Sequence, residues 1–156
     1  MSSGPPLVLV TVGQTRRGPL RELELDYVER IGRLAPVERA FVPASRKPRA
    51  ADRVREEAAA LSAHRAARGT AIALDARGRE LDSDEFARAL ARWREGGPVA
   101  FFVGGPDGLD PVFVESCGTA LALGAMTLPH ELALVVLLEQ LYRALASARN
   151  HPYSRH

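Results

Sequence analysis

Four stretches of the 156-residue chain hold residues whose types and spacing could do chemistry. Gly104-Gly105-Pro106-Asp107-Gly108 offers flexible backbone that a ligand can approach closely. It is not a phosphate loop of the Gly-Lys-Ser/Thr kind, nor a GxGxxG turn. Leu123-Gly124-Ala125-Met126-Thr127-Leu128-Pro129-His130 is small and apolar. Such a loop can wrap an apolar or aromatic ligand and give it mainly backbone hydrogen bonds. Residues 46–55, RKPRAADRVR, set Arg46, Lys47, Arg49, Arg53 and Arg55 against Asp52, a local field for an anionic partner. The tail 150–156, NHPYSRH, carries His151, Tyr153 and Arg155, groups that can stack on an unpaired base or bind phosphate. A tight turn, a solvated helix start and a frayed terminus are the plainer readings of the first, third and fourth stretches.

Other chemistry is missing. His64, His130, His151 and His156 show no HExxH spacing and no pairing with cysteine, so no metal site is expected. There is no GxSxG elbow. Cys117, the one cysteine, reads as a small core residue, and it excludes an intrachain disulfide. An apolar share of 46% and a charged share of 26% are ordinary for a folded globular chain. Of the 21 cations only Lys47 is lysine; the rest are arginines, whose forked donors suit phosphate. The longest aliphatic run, residues 132–138, is far short of the roughly 20 residues of a membrane span. Residues 1–6 lack the basic and apolar regions of a signal peptide, so a cytoplasmic location is expected.

Elements that could position these stretches alternate along the chain. Strands are expected at 7–12, 37–42, 71–74, 99–103 and 119–123, from β-branched and apolar runs bounded by glycine and proline. Helices are expected at 20–33, with Leu20, Leu23, Tyr27, Ile31 and Leu34 on one stripe, and at 51–68. Further helices are expected from Asp82 or Ser83 to Glu95, at 111–117, and from Pro129 to Ala148. The alternation predicts an α/β fold with a largely parallel sheet flanked by helices. In such sheets ligands sit outside the carboxyl ends of the strands. Three unusual loops fall there: the one after Leu74, the one at 104–109 and the one at 123–130. The last helix is apolar on nearly all sides around residues 132–138, which predicts burial partly against a second copy. Glu139 and Arg143, at i and i+4, can pair on it.

FFVGGPDGL, MTLPH, LLEQLYRA and NHPY, in this order and at these distances, resemble the RlmH, or YbeA-type, family of bacterial and plastid 23S rRNA pseudouridine N3-methyltransferases. The resemblance covers essentially the whole chain. It departs from the family pattern in extra residues before the first strand, at Gln14, where a lysine is usual, and at Ser154, where a histidine is often found. It implies one SPOUT methyltransferase domain over residues 1–156, with a trefoil knot and cofactor site at roughly 70–148 and a tail at 149–156. It implies S-adenosyl-L-methionine bound by Leu74, Gly104, Gly105, Leu123, Gly124, Ala125, Met126, Thr127 and Leu128. It implies no metal and no membrane partner, but a homodimer acting on a pseudouridine of 23S rRNA within the ribosome. Substrate candidates are His130, Arg143, His151, Tyr153, Arg155 and the basic stretch Arg46, Lys47, Arg49, Arg53 and Arg55. His130, His151 and Tyr153 are the candidate bases, with none assigned. A related enzyme acting on tRNA and a non-catalytic RNA-binding relative are the rival readings.

Overall fold

A computed structural model describes residues 4–65 and 68–155. In chain order it contains β1 (Leu7–Val12), α1 (Pro19–Gly32), β2 (Val37–Val42), α2 (Ala50–Ser62), β3 (Thr70–Glu80) and α3 (Ser83–Glu95). β4 (Val99–Val103), α4 (Pro111–Cys117), β5 (Gly118–Ala122) and α5 (His130–Ala148) follow, and a 3-10 turn at Pro152–Arg155 closes the chain. The sheet order is β2-β1-β4-β3-β5, and every pairing is parallel. This is the expected α/β architecture. Because side chains alternate along a strand, each strand feeds two cores. Leu7, Leu9, Ile72, Val99 and Phe101 pack with α1, α3 and α5 on one face. Val10, Val12, Ala73, Ala100 and Phe102 pack with Ala58 and Leu61 of α2 and Phe113 of α4 on the other. Strands covered on both faces are apolar nearly throughout, which is why β4 reads as an unbroken apolar run and β1 is interrupted only at Thr11.

Three expectations change. α2 ends at Ser62 rather than Arg68; the Ser62 hydroxyl donates back to the Ala58 carbonyl at 2.8 Å, and the next backbone bond tightens to His64 N–H on Leu61 O. β3 does not stop at Leu74. It bulges after Leu74 and resumes against β5, with Arg79 opposite Leu121 and Glu80 opposite Ala122. Gly78 makes this possible, since a Cβ there would lie 2.6 Å from the carbonyl carbon of Ala120. On α1 the stripe is rotated: Leu23 is 46% exposed, while Glu24 is buried. Glu24 accepts a hydrogen bond from the Thr15 hydroxyl at 2.5 Å and pairs with Arg39 at 2.5 Å. A buried carboxylate is tolerated when partners of this kind replace its water.

Leu134, Leu137, Leu138, Leu141, Ala144 and Leu145 of α5 are buried within the single chain, among α1, α3 and the sheet. Only the flank at Leu132, Ala133 and Val136 remains half-buried. The single chain thus covers most of the circumference of this helix.

α3 starts as expected at Asp82. The Asp82 carboxylate accepts the Glu85 N–H at 2.7 Å, and the Glu85 carboxylate accepts the Asp82 N–H at 2.8 Å, so each satisfies an otherwise orphaned donor. Asp82→Ala should cost about 1 kcal/mol. For a chain of this size that lowers the melting temperature by about 2–4 °C, read by thermal circular dichroism with the native spectrum unchanged.

Candidate functional site

The carboxyl ends of β3's first half and of β4 open into a cleft of about 860 Å³. Leu74 to Arg77 form one wall, Val103 to Leu109 the floor, and Thr127 to His130 the opposite wall, with Arg16 at the mouth. Three loops expected to matter thus meet at one place.

The floor is shaped by backbone proximity. After β4 the chain folds back on itself, with a bridge between Gly105 and Gly108 and a hydrogen bond from Gly108 N–H to Gly105 O at 3.0 Å. A Cβ at Gly104 would lie 2.5 Å from the Gly108 oxygen, so this turn closes only with glycine. A Cβ at Gly105 would meet the Val12 side chain at 3.3 Å. Gly105 therefore packs toward the core behind the loop, and its lack of a side chain serves the fit against β1 rather than the open space of the cleft. Asp107 is latched from outside. Arg53 donates to it from Nε at 2.7 Å and from Nη2 at 3.1 Å, while Nη1 donates to the Lys47 and Pro48 carbonyls at 2.9 and 2.8 Å. This planar fork ties the basic stretch to the glycine loop. The hydrogen bond from Arg53 holds the Asp107 carboxyl below its ordinary range.

The other wall is closed by the bulge of β3, where the Asp75 carboxylate accepts the Arg77 N–H at 2.7 Å and the Arg77 guanidinium at 3.3 Å. His130 is the first residue of α5, positioned by Pro129 at its cap. Glu131 beside it accepts the Arg16 N–H at 3.4 Å, and its charge suits the positive end of the helix.

Of the expected cofactor residues, Leu74, Gly104, Gly105, Thr127 and Leu128 line the cleft. Leu123 faces a separate hollow of about 300 Å³ among α3, β5 and α5. Gly124 and Ala125 are not on the cleft walls, and Met126 is 84% exposed. The basic stretch is not uniform. Arg46 and Arg49 are exposed, Lys47 lies 3.7 Å from Glu56, and Arg55 pairs with Asp52 at 2.7 Å. Arg53 is committed to Asp107 and is not available to phosphate in this arrangement.

The tail does not reach the cleft of its own chain. Tyr153 lies against α5 beside Glu139, about 14 Å beyond His130 at 1.5 Å per residue. Its hydroxyl donates to Glu139 at 3.0 Å and lies 2.9 Å from the Tyr27 hydroxyl. Its ring packs edge-on against Tyr142 at 4.7 Å, with Arg143 over it at 5.3 Å. Arg143 pairs with Glu139 at 2.7 Å, as their spacing predicts. Burial, together with the Tyr27 and Glu139 hydrogen bonds, pushes the Tyr153 phenol well above its usual range, so here it is a donor. His151 accepts the Tyr153 N–H on Nδ1 at 3.2 Å, which in a neutral ring leaves Nε2 as the donor. The Arg155 side chain lies outside the described residues.

Sequence reading missed the Thr15–Glu24–Arg39 network, Arg16 and Asp75. The signal for the first was present, since Glu24 stands between Leu20 and Tyr27 at helical spacing. Cys117, as expected, packs partly buried against a core, and burial raises its thiol above the ordinary value. Among the described residues no helix is long and apolar enough to cross a membrane, and no group of metal-ligating side chains assembles.

The family model described as a predicted SPOUT methyltransferase matches residues 6–154. The chain belongs to that family. Within the SPOUT methyltransferases it is similar to proteins named ribosomal RNA large subunit methyltransferase H. That of Xanthobacter autotrophicus is 43% identical, with 96% of this chain and 98% of the relative covered. That of Bradyrhizobium diazoefficiens is 42% identical at the same coverage. That of an Anaeromyxobacter species is 43% identical, with 96% and 99% covered.

The latch between Arg53 and Asp107 has a pH signature. A lowered carboxyl pKa means the pair persists above the ordinary aspartate value, near 3.9, and is lost only as pH falls through the lowered value. Hydrogen exchange at the Gly108 amide, which donates to the Gly105 carbonyl, should therefore show constant protection from pH 7 to about 5, after correction for the intrinsic rate. Asp107→Asn should lose that protection already at pH 7.

Proposed function

We propose that the protein transfers a methyl group from S-adenosyl-L-methionine to N3 of a pseudouridine in 23S rRNA on the ribosome. The observation that carries this reading is the cleft at the strand ends, in a chain of the SPOUT methyltransferase family. Its volume suits a ligand of this size. Leu74, Val103, Leu109 and Leu128 offer apolar walls, and the folded-back backbone at 104–108 offers polar groups. Leu74, Gly104, Gly105, Thr127 and Leu128 would hold the donor, with Leu123 to Met126 carrying the loop that presents Thr127.

S-adenosyl-L-methionine supplies an electrophilic methyl group on a sulfonium. The chain's part is alignment. N3 of the base must approach that methyl on the side away from sulfur, and the imide proton must leave. Fixing such geometry can contribute up to about 7–11 kcal/mol in ideal cases. His130 stands on the cleft wall where the base would enter, and Arg16 stands at the mouth, 90% exposed and suited to a phosphate.

The working unit is a homodimer, in which the tail of one copy completes the site of the other. The distance between Tyr153 and the cleft of its own chain supports this, since stacking residues are otherwise stranded. One methyltransferase domain spans residues 1–156, and its part at roughly 70–148 carries the family's trefoil knot. The tail at 149–156 engages RNA, no metal takes part, and a ribosomal substrate implies a cytoplasmic protein.

Incubation of ribosomes, free rRNA and tRNA with labelled donor, followed by mapping of the modified nucleotide, tests the reading. Label confined to tRNA overturns it. Gly104→Ala should abolish donor binding by calorimetry while leaving a cooperative melt, and Gly105→Ala should weaken it less; unchanged affinity in Gly104→Ala excludes the loop. For RNA contact, Arg46→Gln with Arg49→Gln should flatten the salt dependence of ribosome binding by about 1.4 in log–log slope, at about 0.7 per phosphate on a single strand. Tyr153→Ala should instead lower turnover with that slope unchanged.

A further inference from the structure

We infer that a second binding surface for RNA phosphates runs along the groove between α3 and β5, held by Arg79, Arg88 and Arg92. The inference rests on the reading of the substrate as RNA.

The groove has a volume of about 320 Å³. Arg88 and Arg92 stand one turn apart on α3, and Arg79 projects from the end of β3. All three are exposed. Among the described residues none of the three makes an ion pair or a side-chain hydrogen bond, whereas Arg53, Arg55, Arg77 and Arg143 are all held by carboxylates. The carboxylate on this groove, Glu85, is engaged by the Asp82 N–H at the start of α3. Three uncommitted guanidinium groups around one hollow favour a polyanion, and arginine forks match phosphate oxygens. The other wall is built by Thr119, Ala120 and Leu121 of β5, the last strand in the sheet order.

The position of the groove also matters. Arg77 lines the cleft, and Arg79 lines the groove two residues later. The bulge between them is pressed onto β5 at Gly78, so the surface passes from cleft to groove across a single close-packed ridge. The exposed cations Arg46 and Arg49 follow β2, at the opposite edge of the five-stranded sheet. At about 4.8 Å per strand the two edges are roughly 19 Å apart. A nucleotide in the cleft would then have RNA backbone gripped on both sides.

The test compares Arg88→Gln/Arg92→Gln with Arg33→Gln/Arg68→Gln, which removes the same charge elsewhere on the surface. Binding of ribosomal particles is followed from low to moderate salt, methylation is followed by labelled donor, and donor affinity is followed by calorimetry. The groove variant should raise KM for ribosomes several-fold with kcat and donor affinity unchanged. Its log–log salt slope should drop by about 1.4, and Arg88→Lys/Arg92→Lys should restore most of the binding. A groove variant indistinguishable from wild type, or from the charge-matched control, overturns the inference. If the wild-type protein methylates no ribosomal RNA, the proposed function fails instead; the salt slope of particle binding then still decides whether the groove contacts RNA.

Discussion

β4 has neighbours on every side. β1 and β3 bond its two edges, a core covers each face, and all five of its residues are buried. A strand enclosed in this way can meet a ligand only at its carboxyl end, and there the chain must turn within the width of the sheet. The close contact of Gly104 with Gly108 is the solution to that constraint. From it follow the floor of the cleft, the outward direction of Asp107, and the bond through Arg53 that brings the basic stretch alongside. The positions of α4 and β5 follow as well, since the chain leaves this turn directly into them.

Much of this was legible in residue order. Short β-branched or apolar stretches of four to six residues punctuated by glycine and proline placed all five strands, and Asp82 or Ser83 marked the start of α3 through local chemistry alone. The errors share a cause. The extension of β3 past Leu74 depends on Gly78 touching the backbone of Ala120, a contact across more than 40 residues that no local window contains. The inward turn of Glu24 depends on Arg39 from another strand and on Thr15 from another loop. For the site, types and loops were legible but directions were not. Gly105 and Leu123 were correctly placed at strand ends, yet one packs toward β1 and the other opens onto a hollow beside α3.

α5 carries a similar lesson about inference from composition. An apolar circumference says that a helix is covered, and says nothing about what covers it. Here two helices and a sheet of the same chain supply most of the cover, which leaves the aromatic cluster around Glu139 as the more informative part of that helix. That one carboxylate receives Arg143, Gln140 and Tyr153 at once.

The bond between the Tyr27 and Tyr153 hydroxyls joins residues 126 apart in the chain. Bringing such distant points together costs loop entropy that a contact between sequence neighbours does not. That cost is offset here because the cores already hold α1 and α5 side by side. The terminal turn is thus an appendage on a body whose strand pairings and two cores are complete without it.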